Sequence, residues 1–496
     1  MKNNSVIVIG AGIGGLAAGI RLAAEGYRVR VLEKNSLPGG QLRTTRIGDF
    51  VFPNAGALLT MPEATAALFD SAGRSMADYM TLREVSPILR FIFPDEGEYS
   101  LYREAADTLM KNALFGLKDQ QAFASYGKRS DYILNEVMPR FFDKPYKRPR
   151  GLFASEFGFR TLNPGRSGVR VSNRLFSSAQ LRTAHAFWPL FSGGAPSASS
   201  HFYRMIPAAM SRWGVCHVEG GPDAYVDALV KLFRECDGEI QYNSEVEAIQ
   251  IYNGVVTGVR LTDNSVRQAD YVVCDADTAY SCRFLIDSDR VHYTTVDKAL
   301  ARRPGCSVFI YHMAFETPPA ELRDFDAVNV LMPRDVRTWE RQLFTENRLP
   351  DELLMYLNFP GKMEESFVPE GRGAMTAAVF VPNLGSDVNW KQVSYQFRER
   401  VLTALQPYFS TDLRASLIGE RYLTPVNYHE DLNAYMGAAW CFDPNQEKTD
   451  IRCLPNSCED IRNLFFVGSG AHPGPHIPAI LKGAEIVNEC IVNSGQ

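Results

Sequence analysis

Residues Val6–Gly40 read VIVIGAGIGGLAAGIRLAAEGYRVRVLEKNSLPGG, and the order of patterns in this stretch decides the fold. Val6–Ile9 is a short all-apolar run, as expected of a parallel strand buried on both faces. Gly10, Gly12 and Gly15 follow at G-x-G-x-x-G spacing. A helical pattern through Leu16, Ile20, Leu22 and Ala23 then runs to Gly26, where glycine suits a helix end. A second apolar strand, Val29–Leu32, ends at Glu33.

Each part has a task in holding a dinucleotide. Gly10 permits a tight strand-to-helix turn, Gly12 lets a pyrophosphate approach the backbone, and Gly15 lets helix and strand pack closely. The phosphates then meet free N–H groups and the positive end of the helix dipole. Glu33 lies eighteen residues after Gly15, where a carboxylate can accept both ribose hydroxyls. Gly14 and Lys34 are assigned to the same site. A merely glycine-rich turn leaves Glu33 unexplained.

FAD is expected in preference to NAD. Gly39-Gly40 supplies a second glycine turn, suited to a flavin pyrophosphate approached from two sides. Leu464–Gly470 (LFFVGSG) is another buried strand ending in glycine, followed by a helical run over Ile477–Ile491. An N-terminal βαβ unit with a returning C-terminal strand, turn and helix resembles the flavoproteins with two dinucleotide-binding elements, the amine oxidase and phytoene desaturase group.

The chain has 496 residues, too many for one core, and two domains are expected. Apolar residues at 45% and charged residues at 22% are ordinary for a globular protein. A net charge of −5 gives no hint of nucleic-acid binding, nor would it hold the chain on an anionic membrane. The nine cysteines are scattered, no His or Cys cluster has zinc spacing, and no metal site is expected; reduced thiols in the cytoplasm are. No signal peptide is read at the N-terminus, and no run of about twenty apolar residues suggests a membrane span.

Arg43 is a phosphate contact or a solvated strand residue. Alternation around Ile47 to Phe52 suggests a hairpin close to the cofactor, and Pro62–Ala72 begins as a helix with proline in its first turn. Pro87–Phe93 and Tyr99–Tyr102 read as a hairpin. Lys144–Arg150 is a basic, proline-punctuated loop, either solvated or a docking element for a membrane. Leu181–Phe191 and Phe202–Trp213 are rich in aromatic and aliphatic residues; they read as core, as a patch lying in a bilayer surface, or as the mouth of a greasy tunnel. A helix is expected over Ala224–Phe233. Val246–Ile251, Val255–Leu261 and Ala269–Cys274 read as a three-stranded meander, with Val246 lying under an adenine. Strands at Ser307–Phe315, Leu353–Asn358 and Met375–Pro382 and a helix at Trp390–Leu405 suit a mixed sheet roofed by helices. Asp223, Asp275 and Asp277 read as turn and capping residues.

The expected class is therefore α/β: a Rossmann-like FAD-binding domain (1–70, 215–285, 421–496) interleaved with an α+β substrate domain (71–214, 286–420). The closing segment, NLFFVGSGAHPGPHIP over Asn463–Pro478, narrows this further, together with Val218–Gly221, Thr424-Pro425 and Tyr435–Ala439. With them the chain resembles the bacterial-type carotenoid desaturases, the phytoene and dehydrosqualene desaturase family, over nearly its full length. That resemblance implies an FAD enzyme taking hydride and proton pairs from a long apolar polyene, with oxygen or a quinone as electron acceptor. It also implies peripheral attachment to the inner face of the membrane, since such substrates live in lipid. Isomerisation, saturation and oxygenation are variants among relatives. Amine or protoporphyrinogen oxidation and a non-catalytic FAD-binding partner are the competing readings.

The resemblance places Gly468, Ser469, Ile477 and Pro478 at the cofactor and His472 and His476 beside the reacting ring. Three departures stand out. Gln41 replaces the usual Arg or Lys after the second Gly-Gly, Phe52-Pro53-Asn54-Ala55-Gly56 lacks the usual acidic residue followed by Gly-Pro after the Phe-x-Phe strand, and Pro475-His476 replaces small residues.

Overall fold

Alternation along β1 (Ser5–Ile9) sets the layering of the first domain in the computed structural model, which describes residues 4–54, 58–94, 97–113, 115–142, 167–286, 294–444 and 453–494. Val6 and Val8 pack into a layer with α1 (Ile13–Ala24), α2 (Gly221–Glu235) and α3 (Ile477–Ser494). Ile7 and Ile9 face the opposite layer, built on a meander of strands Val246–Tyr252, Val255–Leu261 and Val266–Gln268. Successive side chains of a strand point to opposite faces, so an all-apolar run needs cover on both. Five parallel strands form the sheet. Beside β1 stand β2 (Arg28–Leu32), β3 (Glu239–Gln241), β4 (Tyr271–Cys274) and β5 (Leu464–Phe466), in the order β3-β2-β1-β4-β5.

One strand is assigned differently from its sequence reading. The meander's third strand is Val266–Gln268, whereas Tyr271–Cys274 leaves the meander and pairs with β1, Ile9 opposite Cys274. Burial explains the choice. Tyr271–Cys274 is covered on both faces and suits a central parallel strand, while Val266 and Gln268 are exposed and suit an edge.

The second sheet has seven strands: Leu417–Leu423, Ser307–Phe315, Gly373–Val381, Met355–Asn358, Val328–Leu331, Leu89–Phe93 and Gly97–Leu101, in that spatial order. All neighbours are antiparallel except Val328–Leu331 with Leu89–Phe93, so the sheet is mixed. Phe309, Tyr311 and Met313 pack under the helix Trp390–Leu405. Val308 and Ile310, on the other face of the same strand, look into a cavity. The strand Leu417–Leu423 belongs to this sheet and so carries it across the boundary read at residue 421. Lys144–Arg150 lies outside the described residues.

Candidate active site

A cavity of about 870 Å³ begins at the carboxyl ends of the parallel strands and continues to the mixed sheet. Open α/β sheets bind ligands at that end. Ile9-Gly10, Leu32-Glu33, Asp275 and Gly468-Ser469, each at or just past a strand end, form its first wall.

The glycine loop has the shape its spacing requires. Gly10 is in the left-handed region at φ 97°, and a Cβ on Gly15 would lie 2.2 Å from the Gly10 carbonyl oxygen. Gly12 is the N-cap of α1 and offers no side chain to its first-turn amides, leaving them for a ligand or a neighbour. The second glycine turn comes close: a Cβ on Gly40 would stand 3.4 Å from Gly12 Cα, and the Gly39 N–H donates to the Ala11 carbonyl at 2.8 Å.

Glu33 is 5% exposed and faces this loop. Its Oε2 accepts the Ala11 N–H at 2.8 Å, and its Oε1 accepts the Asn35 N–H and Nδ2, both at 2.9 Å. Lys34 lines the cavity but is occupied, donating to the Glu430 carbonyl at 2.8 Å and Asn433 Oδ1 at 2.6 Å. Gln41 donates to the Ala439 carbonyl at 3.2 Å. Gly14, Gly39, Val246, Ile477 and Pro478 also line the cavity.

Two residues expected at the site stand elsewhere. Arg43 donates to the Leu37 carbonyl at 2.8 Å, which turns its guanidinium back on its own loop and away from the cavity wall. His472 is 2% exposed and does not itself line the cavity; its ring packs on Phe142, which does, with ring centroids 6.5 Å apart. Its main chain is held by the Leu454 carbonyl and Asn456 Nδ2.

His476 lines the cavity, and its Nε2 lies 2.9 Å from Ser192 Oγ. Burial pushes its imidazole down to about 4, so the ring is neutral near pH 7. Asn54 also faces the cavity. Its Oδ1 accepts the Thr45 hydroxyl at 2.6 Å and lies 3.1 Å from His312 Nε2. An amide in that network adds no negative charge.

The remaining wall is apolar. Phe187 and Phe191 meet Ile206 and Met210 of the helix Met205–Trp213, and Phe380 stacks on Trp440 at 5.6 Å. The segment Phe202–Trp213 thus turns its greasy face to a chamber as well as to the core. Asp277 caps the short helix Thr278–Tyr280 as its sequence suggests. Asp275 does more than turn the chain: its carboxyl accepts the Gly15 and Gly12 amides inside the glycine loop. Ser192 carried no sequence signal of its own, because its contact with His476 joins segments far apart in the chain.

The residues fit FAD. The glycine loop packs so closely on Asp275 that a Cβ on Gly12 or Gly14 would strike its carboxylate, Gly10, Gly12 and Gly14 line the cavity, the buried Glu33 carboxylate stands at the tip of β2, and the cavity runs on beyond the loop into a chamber for a ring. Such an arrangement defines a dinucleotide-binding oxidoreductase with an apolar second compartment. The profile of the flavin containing amine oxidoreductases matches residues 13–490, and the chain belongs to that family; it is an FAD-dependent oxidoreductase.

Among curated proteins it is 30% identical over 501 residues to the zeta-carotene-forming phytoene desaturase of Myxococcus xanthus, covering 98% of this chain and 94% of that one. It is 28% identical to the lycopene-forming phytoene desaturase of Pseudescherichia vulneris, covering 99% of each. Among solved structures, a putrescine oxidase variant superposes with a TM-score of 0.65 at 14% identity over 99% of both chains.

Proposed function

We propose that the protein dehydrogenates a long apolar polyene of the carotenoid type, such as phytoene or dehydrosqualene, at adjacent carbons. The observation that carries this reading is the cavity itself, one continuous space with a dinucleotide cradle at one end and an aromatic and aliphatic chamber at the other. A cation-binding substrate would want charge in that chamber; Phe187, Phe191, Phe380 and Trp440 offer none. The desaturase relatives supply the substrate class.

FAD, when bound, supplies a two-electron acceptor for hydride. The chain does the positioning. The chamber walls exclude water and hold an alkene chain in register with the ring. The α3 N-terminus at Ile477-Pro478 favours negative charge at the wall it touches. Asn54 lines the cavity without a formal charge, backed by His312, so this wall gives a developing cation no counter-ion. His476, neutral and beside the chamber, is the base nearest a proton leaving the substrate.

The polyene's home in lipid supports a peripheral position on the inner membrane face; no helix among the described residues is long and apolar enough to cross a bilayer. Oxygen or a quinone completes the cycle by reoxidising the cofactor.

Pigment analysis tests the reading. Expression in a host making phytoene, and in one making dehydrosqualene, should give a red-shifted chromophore in at least one extract. Colourless extracts from both, with FAD bound to the purified protein, would overturn it.

A further inference from the structure

The cavity needs a way out for a proton. Dehydrogenation releases one for each hydride, and the Phe, Trp, Met and Ile side chains of the chamber wall cannot accept it. Three polar side chains on its wall touch one another. Ser192 Oγ lies 2.9 Å from His476 Nε2. The same hydroxyl is a hydrogen-bond partner of the Tyr203 phenol. All three residues line the cavity. Asp443 lines the same cavity, and its charge bears on the Tyr203 phenol. Its carboxylate pairs at 3.0 Å with Arg303, a side chain 68% exposed.

The placement of Ser192 is built. It ends a short 3-10 turn, Trp188–Ser192, which closes on Gly193 at φ 70°. Trp440 covers that glycine so closely that a Cβ there would meet its ring at 2.9 Å, and Cys306 Sγ donates to the Gly193 carbonyl at 3.6 Å. Ser192 itself is 6% exposed, so its hydroxyl faces His476 and Tyr203 and not bulk water.

We propose that His476, Ser192 and Tyr203 form the proton path of this cavity, with Asp443 at its outer end. The inference rests on the dehydrogenation reading above. One C–H electron pair leaves the substrate with its hydrogen as hydride to the flavin oxidant. The neighbouring C–H gives its proton to the His476 ring nitrogen that does not face Ser192, and its electron pair becomes the new C=C bond. The Nε2 proton passes to Ser192 Oγ, the Ser192 proton to the Tyr203 oxygen, and the phenol proton outward at Asp443. The substrate loses one hydride and one proton, and no charge stays in the chamber. His476 is the group that touches substrate; Ser192 and Tyr203 act through it.

Two measurements on the FAD-loaded protein test this. The first needs no substrate: ¹⁵N spectra of histidine-labelled protein, with the His476 signal assigned through His476→Gln. The path requires a single Nε2–H tautomer in the wild type, a tautomer mixture in Ser192→Ala, and a return to the single form in Ser192→Thr. An unmoved His476 signal in Ser192→Ala would overturn the path. The second is anaerobic flavin reduction by phytoene in liposomes. Ser192→Ala and Tyr203→Phe should each slow it about 100-fold, the usual scale of acid–base assistance, with FAD affinity unchanged and Ser192→Thr restoring most of the rate. Wild-type rates in both variants would also overturn it. If wild-type protein reduces its flavin with neither phytoene nor dehydrosqualene while the tautomer result holds, the substrate reading falls and the hydrogen-bonded path stands.

Discussion

The carboxyl group of Asp275 accepts the backbone N–H of Gly15, inside the loop whose amides would otherwise face a pyrophosphate. Burial pushes this carboxyl up to about 7, and the neighbouring Glu33 charge adds to the rise against the pull of the Gly15 and Gly12 amides. An anionic pyrophosphate arriving beside it favours the protonated form. FAD affinity should therefore fall as pH rises through about 7, by at most tenfold per unit for one proton. Asp275→Asn should bind FAD more tightly above pH 8 and show a flat profile. Quenching of flavin fluorescence, titrated between pH 6 and 9, measures both; a flat wild-type profile would refute the linkage.

Glu33 holds the loop from the other side. Its oxygens take three N–H donors, two from backbone amides, in a site with little water. Glu33→Gln turns one acceptor into a donor facing a donor. Hydrogen bonds to a charged group contribute about 1.5–3 kcal/mol, so the FAD dissociation constant should rise roughly 10- to 100-fold. The ratio of bound flavin to protein after gel filtration reports the loss, and an unchanged ratio and affinity would count against a cofactor role for this carboxylate.

The parts of the fold legible in the sequence are those whose logic is local. The strand, glycine turn, helix and second strand over Ser5–Leu32 follow from adjacent residues, as does the helix Trp390–Leu405 from its own apolar stripe. Periodicity reports that a face is buried but not what buries it. Hence Tyr271–Cys274 reads as a strand while its true neighbour, β1, lies far back in the chain. The same blindness hides the contact of Ser192 with His476, which are 284 residues apart. His472 shows the converse: a histidine four residues before another, in a motif with a strong resemblance, is buried one side chain back from the cavity, packed on Phe142.

Ala378 sits on the cavity face of the mixed sheet, in register with Ile310, and both line the chamber. A phenylalanine there projects a ring across the substrate path without touching the glycine loop. Ala378→Phe should keep its FAD and lose turnover on a long polyene by about 100-fold, the scale expected when reacting atoms are held out of place. Overpacking should cost no more than about 1–3 kcal/mol of stability. Product chromatography beside flavin content separates the two effects, and normal turnover with FAD retained would mean that the chamber is not the substrate's path.

His185 lies flat on Phe176, ring centroids 4.5 Å apart, and 4.6 Å from the ring of Tyr126, with no hydrogen bond to either ring nitrogen among the described residues. Burial first, and then the Arg204 charge, push its imidazole down to about 3. The unfolded chain titrates this group near 6.5, so below that pH it binds a proton that the folded state refuses. Stability is whole above about pH 6.5 and is lost as pH falls towards 3. Burial likewise pushes His312 down to about 3 and His476 to about 4, so they act in the same direction. Between pH 7.5 and 5, one such histidine accounts for about 2 kcal/mol. His185→Phe replaces an unpartnered imidazole with a ring suited to its aromatic neighbours, so it should match or exceed wild-type stability at pH 7.5. It should also lose about 2 kcal/mol less on acidification. Urea unfolding at the two pH values gives the difference directly, and parallel losses in variant and wild type would show that His185 does not drive the acid limb.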